Sequence, residues 1–168
     1  MKSASLSTDL DPQERGFFVY DGWDLLHERR EKWRSASGWT SDMDLDFFWG
    51  PDLSGTLQGA GGVGGLVAVS IAGQYCLPCY DNLGNVMAYV NESGTKIATY
   101  TYDAFGHLIA HTGLYYSKFP HRFSTKWQDD YNEFYDYGYR WYWPRLGRWA
   151  YWRLCRRDIR DNNNRNIL

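Results

Sequence analysis

The sequence predicts an all-β fold of antiparallel hairpins, with a basic C-terminal tail of irregular structure. Three observations carry this reading. A turn motif returns after 22 residues, two stretches alternate aromatic or β-branched residues with polar ones, and 31 of 168 residues are aromatic. So much ring surface excludes extended disorder for most of the chain, and the length suits one domain or a piece of one. The expected organisation is an irregular segment over 1–17, a β region over 18–149 and a divergent tail over 150–168.

The formal charge of −2 conceals two materials: residues 1–139 carry 10 basic and 18 acidic side chains, whereas residues 140–168 carry 8 arginines against Asp158 and Asp161. Three cysteines, Cys76, Cys79 and Cys155, are too few for a disulfide scaffold. Asp9, Asp11 and Glu14 stand where a secretory signal needs an apolar core. The most apolar stretch, Val63 to Ala72, is far short of the ~20 residues that span a bilayer. The chain reads as soluble, with no signal peptide and no membrane span.

The repeat is Tyr80-Asp81-Asn82-Leu83-Gly84-Asn85 followed by Tyr102-Asp103-Ala104-Phe105-Gly106-His107. Asp can bond nearby backbone amides and Gly can take a positive φ, so each copy marks a tight turn leaving a strand. Between the copies, Val86 to Val90 and Lys96 to Tyr102 read as strands joined by Asn91-Glu92-Ser93-Gly94-Thr95. Residues 80–110 are therefore expected to contain an antiparallel hairpin.

A second hairpin is expected over 122–143. Tyr135, Tyr137, Tyr139, Trp141 and Trp143 occupy every second position, which on a strand puts all five rings on one face. Phe123, Thr125 and Trp127 alternate likewise upstream, and Asp129 to Glu133 is turn material.

These motifs resemble a known family. The two Tyr-Asp copies, Phe123 to Asp130, Tyr137-Gly138-Tyr139-Arg140-Trp141-Tyr142 and Gly147-Arg148-Trp149 look like the core-domain region of Rhs/YD-repeat proteins. Tyr20 to Leu26 and Trp49 to Gly65 resemble the stretch that precedes that core. The resemblance implies β-hairpins that spiral into a hollow shell around a C-terminal toxin or effector, in bacterial proteins often exported or associated with the cell envelope. It also implies a structural role without catalysis or cofactor. Its partners would be other YD-repeat segments, a second copy met through β-edges, and a toxin in a full-length relative.

Residues 24–47 set propensity against resemblance. Leu25 to Arg34 has good helix formers, with Glu28 four residues before Lys32. The resemblance implies strand, which is favoured because no long apolar stripe supports an amphipathic helix.

Other motifs read as structural. Gly59-x-Gly61-x-x-Gly64 matches a dinucleotide fingerprint, but the following Leu66-Val67-Ala68-Val69 reads as strand where a helix is needed. Cys76, Cys79, His107 and His111 have the internal spacings of a zinc site. Yet 27 residues separate Cys79 from His107, about twice the finger spacing, so no metal is expected. Asp129-Asp130 point to opposite sides of an extended chain, and so shape a turn rather than act jointly as acid and base. Asn91-Glu92-Ser93 fits a glycosylation acceptor, a motif short enough to arise by chance.

The tail mixes Arg145, Arg148, Arg153, Arg156, Arg157, Arg160 and Arg165 with Trp149, Tyr151 and Trp152. A solvated tail is favoured over a binder of nucleic acid or anionic membrane. Here the sequence also leaves the family pattern. Arg153-Leu154 stand where the family carries Asp-Pro before a self-cleavage stretch, so self-cleavage is not expected and a truncated or frame-shifted copy is. An aromatic-rich carbohydrate-binding module is the remaining rival.

Overall fold

In a computed structural model, residues 2–6 are described as strand backbone and residues 14–150 in full. Nine strands form one antiparallel sheet in strict chain order: β1 (Lys2–Leu6), β2 (Glu14–Asp21), β3 (Asp24–Arg34), β4 (Gly38–Trp49), β5 (Leu66–Ile71), β6 (Gln74–Tyr80), β7 (Val86–Asn91), β8 (Lys96–Tyr102) and β9 (Leu108–Thr112). Residues 113–150 recross one face of this sheet. They carry a second, four-stranded antiparallel sheet of short strands, β10 (Trp127–Gln128), β11 (Tyr135–Asp136), β12 (Trp141–Trp143) and β13 (Arg148–Trp149). The expected all-β class holds.

The core lies between these layers. Leu25, Met43, Leu45, Phe47, Leu66, Val69, Cys76, Val86, Tyr89, Ala98 and Tyr100 line the inner face of the large sheet, and Phe119 comes down from the returning segment. Phe119 stacks on Tyr89 with ring centroids 4.0 Å apart. Such a contact adds about 0.5–1.5 kcal/mol beyond the area it buries. The hairpin expected within residues 80–110 is present, with Tyr89 opposite Ala98 and Tyr100 opposite His111.

Residues 24–47 form two strands joined by a turn over 35–37, and the reason is visible in β3. A strand places i and i+2 on one face, so Arg30 meets Glu28 at 2.6 Å, while Lys32 pairs with Glu14 and Asp42 on the flanking strands. Cross-strand partners replace the Glu28–Lys32 pair that a helix would have formed.

Two expectations are corrected. The segment 1–17 is not wholly irregular, because Lys2–Leu6 and Glu14 onward are strand. Arg15 bonds Glu31 across the ladder and lies over the Trp39 ring, so charge pairing replaces the apolar alternation that would have revealed a strand. The row Tyr135, Tyr137, Tyr139, Trp141, Trp143 is not one continuous strand face. Gly138 at φ 83° turns the chain between β11 and β12, with its amide held by Asp136 at 2.6 Å. Tyr135 is consequently fully buried, whereas Tyr139 is 87% exposed. The turn over Asp129 to Glu133 does form, joining β10 to β11.

Candidate functional site

Both Tyr-Asp copies fold into the same five-residue loop. Asp81 Oδ1 accepts the amides of Leu83 and Asn85 at 2.9 Å, and Gly84 closes back onto the Asp81 carbonyl. Asp103 repeats this with the amides of Phe105 and His107, and with Gly106. Partial burial pushes the Asp81 carboxyl up, but the hydrogen bonds from Asn85 and Leu83 outweigh it and hold it below the ordinary value. A register shift precedes each loop, between Cys79 and Tyr80 and between Thr101 and Tyr102. Each repeat tyrosine then reaches the first residue of the strand before its own: Tyr80 donates to the Leu66 carbonyl at 2.6 Å and Tyr102 to that of Val86 at 2.8 Å.

Two further loops share this geometry without having been read as copies. Asn91 Oδ1 accepts the amides of Ser93 and Thr95, and Asp52 Oδ1 accepts that of Ser54, with Gly94 and Gly55 in the glycine position. The signal that could have found them is the spacing Asp/Asn-x-x-Gly, independent of the preceding tyrosine.

The returning segment docks on the repeat loops. Asn85 Oδ1 accepts the Ser124 amide at 2.8 Å, and the Thr125 hydroxyl donates to the Gly84 carbonyl while accepting the Gly64 amide, both at 2.7 Å. At the second copy, Tyr135 donates to the Gly106 carbonyl and Tyr142 to that of Phe105. A Cβ on Gly84 would lie 2.6 Å from Val63, and one on Gly106 2.5 Å from the Phe123 ring, so both loops need glycine for contact as well as for φ.

Other singled-out residues take structural places. Gly147, at φ 59°, ends the short 3₁₀ turn over Pro144–Leu146. Arg148 pairs with Trp143, and the Trp149 ring meets Tyr137 and Tyr142 edge-on at 5.1 and 5.5 Å. Gly59 to Gly64 leads into β5, a strand. Cys76 is buried and Cys79 exposed, while His111 stacks on Tyr116. Asp129 caps its own turn through the Tyr131 amide, whereas Asp130 takes an arginine. Beyond Ala150, the tail and the self-cleavage position lie outside the described residues.

Sequence reasoning missed an ionic cluster that ties β3 to the returning segment. Fully buried Glu28 accepts from Arg30 at 2.6 Å and from the Trp127 indole at 2.9 Å. Asp130 accepts from Arg30 at 2.8 Å, and buried Arg122 donates to Gln128 and to the carbonyls of Phe119 and Tyr116. Burial raises the Glu28 carboxyl above its ordinary value, against the pull of Arg30 and Trp127.

A chain-order meander whose Tyr-Asp loops recur in sequence and in hydrogen bonding is matched by a family model, the RHS Repeat, over residues 80–114. The match is confined to residues 80–114. The chain resembles the crystal structure of TcdB2-TccC3-TEV at a TM-score of 0.60, with 19% identity over 86% of this chain and 7% of that one. TcdB2-TccC3 without its hypervariable C-terminal region gives a TM-score of 0.63, with 20% identity over 86% of this chain and 7% of that one. The chain thus spans a small fraction of the length of the structures it matches, and at this identity the likeness concerns the fold. No curated protein sequence matches it. Among the described residues, no helix is long and apolar enough to cross a membrane.

Proposed function

We propose that this chain is a non-catalytic wall segment of an Rhs/YD-repeat shell, of the kind that encloses a C-terminal toxin for delivery from an exported or envelope-associated protein. The observation that carries the reading is the sequential meander ending in the RHS repeat. Each strand pairs only with its neighbours in the chain, so the architecture grows by adding repeats, and β9 offers its outer edge to the next strand. Ile109 on that edge is 60% exposed. Loop aspartates that bond their own backbone, and acids committed to arginines, give the repeat turns a supporting role.

The partner of the β9 edge is another YD-repeat segment or a second copy of this chain. Light scattering at tens of micromolar, roughly the range where open edges self-pair, tests this. Association that Ile109→Lys with Ala110→Lys suppresses is expected; a clean monomer of the unaltered chain contradicts the reading.

The departure from the family pattern at Arg153-Leu154 supports a truncated or frame-shifted copy. The flanking nucleotide sequence tests that part: an Asp-Pro segment in another frame downstream is expected, and an in-frame unrelated domain overturns it.

A further inference from the structure

His121 sits where the returning segment crosses the centre of the sheet. It is 3% exposed, with its ring edge-on to Phe47 at 4.7 Å and to Trp49 at 5.3 Å. Its carbonyl accepts the Tyr89 hydroxyl at 2.8 Å, and its backbone bridges to Trp127. Its ring Nδ1 has no hydrogen-bond partner. An imidazolium there would carry an unpartnered Nδ1–H donor beside the rings of Phe47 and Trp49, so the docked site favours the neutral ring.

The charged and titratable groups around it offer no rescue. Lys126, on the same segment, reaches the Gly61 carbonyl and adds a like charge. The Arg122 guanidinium is committed to Phe119, Tyr116, Gln128 and Asp130. Glu28 of β3 is occupied by Arg30 and the Trp127 indole, and the Tyr89 hydroxyl of β7 by the His121 carbonyl. Among the described residues, no carboxylate bonds the His121 ring.

Three residues further on, the segment carries backbone strain. Ser124 and Thr125 both take left-handed φ, at 50° and 54°. That conformation costs a β-branched residue about 1–3 kcal/mol unless its surroundings hold it. Here the holding contacts are the bonds to Asn85, Gly84 and Gly64, all of them made to the main sheet's loops. The ring that excludes protonation and the strained tip thus lie on one segment, which also docks through Trp127 on Glu28 and Asp130 on Arg30.

We propose that residues 113–149 form an acid-released latch, with His121 as its proton-sensing group. The ring takes up a proton only when the segment lifts off, so acid shifts the balance toward the undocked arrangement and uncovers the aromatic inner face around Tyr89, Tyr100 and Phe47. Burial, with Lys126 adding to it, pushes the docked His121 down to about 3, against an ordinary 6.5. The folded value is depressed, so the docked arrangement is fully favoured above pH 6.5 and loses ground as pH falls from there toward 3. Linkage then predicts an opening equilibrium raised about 10-fold at pH 5.5 and about 100-fold at pH 4.5.

Amide hydrogen exchange between pH 7.5 and 4.5, corrected for intrinsic rates, tests the latch. Protection over 113–149 should fall by these factors while β5 to β8 stay protected, and His121→Phe should remove the pH dependence. An equal pH dependence in His121→Phe, or simultaneous loss of protection in β5 to β8, overturns the proposal. Should that variant fail to fold, nitrogen NMR of the unaltered chain decides. The His121 ring should titrate in step with the loss of protection over 113–149, and titration with protection intact overturns it. The test does not depend on the wall reading, because it follows a segment within one chain rather than association between chains.

Discussion

The indole N–H of Trp127 donates to Oε2 of Glu28 at 2.9 Å, joining two residues 99 positions apart. Glu28 is fully buried, and its other oxygen accepts from Arg30 at 2.6 Å. Removing Glu28 leaves the Trp127 indole without its acceptor and Arg30 with Asp130 alone, at about 1–3 kcal/mol. Glu28→Ala should therefore lower the unfolding free energy by about that much, and Glu28→Gln, which keeps an acceptor for the indole, by less. Urea denaturation measures both, and an Ala variant no less stable than the Gln variant would remove the cluster from the account.

The repeat loops contain their own control. The third loop position is Leu83 and Phe105 in the Tyr-Asp copies but Ser93 and Ser54 in the other two, and in all four its amide bonds the Asp or Asn oxygen. The loop itself therefore does not require an apolar residue there. Leu83, 73% exposed, should be replaceable by Ser with a change in stability within about 0.5 kcal/mol. A loss well above that would show that Leu83 packs against something else.

Glycine at the fourth position is expected to separate the loops. Gly94 has φ 79° and open space where a Cβ would go, so Gly94→Ala should cost only the left-handed conformation, about 1–2 kcal/mol. Gly84→Ala adds a 2.6 Å approach to Val63 and should cost more. Thermal unfolding of the two variants side by side gives the order, and equal losses would contradict the docking geometry.

Asp52 supplies a test of pH dependence. Burial pushes its carboxyl up, but the Ser54 hydroxyl and the amides of Ser54, Gly62 and Ala60 outweigh burial and hold it at about 2. A depressed carboxyl contributes stability that is complete above its ordinary range, near 3.8, and is lost as pH falls toward 2. The stability gap between the unaltered chain and Asp52→Asn should therefore be constant above about pH 5 and close below 4. A gap that persists unchanged to pH 2 would mean the four bonds do not select the charged form.

Much of this architecture is legible in the residues, and its gaps have physical causes. The 22-residue spacing revealed the loops at Asp81 and Asp103 because each Asp and Gly acts on its own neighbours. The same chemistry at Asp52 and Asn91 was hidden by the missing tyrosine. The row from Tyr135 to Trp143 misled because alternation also fits two short strands around Gly138, where the Asp136 side chain and a positive φ decide. Glu28 was invisible as a core residue because its indole partner, Trp127, lies 99 positions away, and the Asp130 that completes the cluster through Arg30 lies 100 positions from Arg30. His121 carried no motif at all; only its burial between Phe47 and Trp49 sets it apart.

The wall reading rests on β9 being an edge that another strand completes. Amide hydrogen exchange measured across a range of protein concentrations tests this most directly. As concentration rises, Leu108 to Thr112 should gain protection while β5 to β8, already paired on both sides, should not change. Protection of β9 that is independent of concentration, or gains confined to other strands, would contradict it.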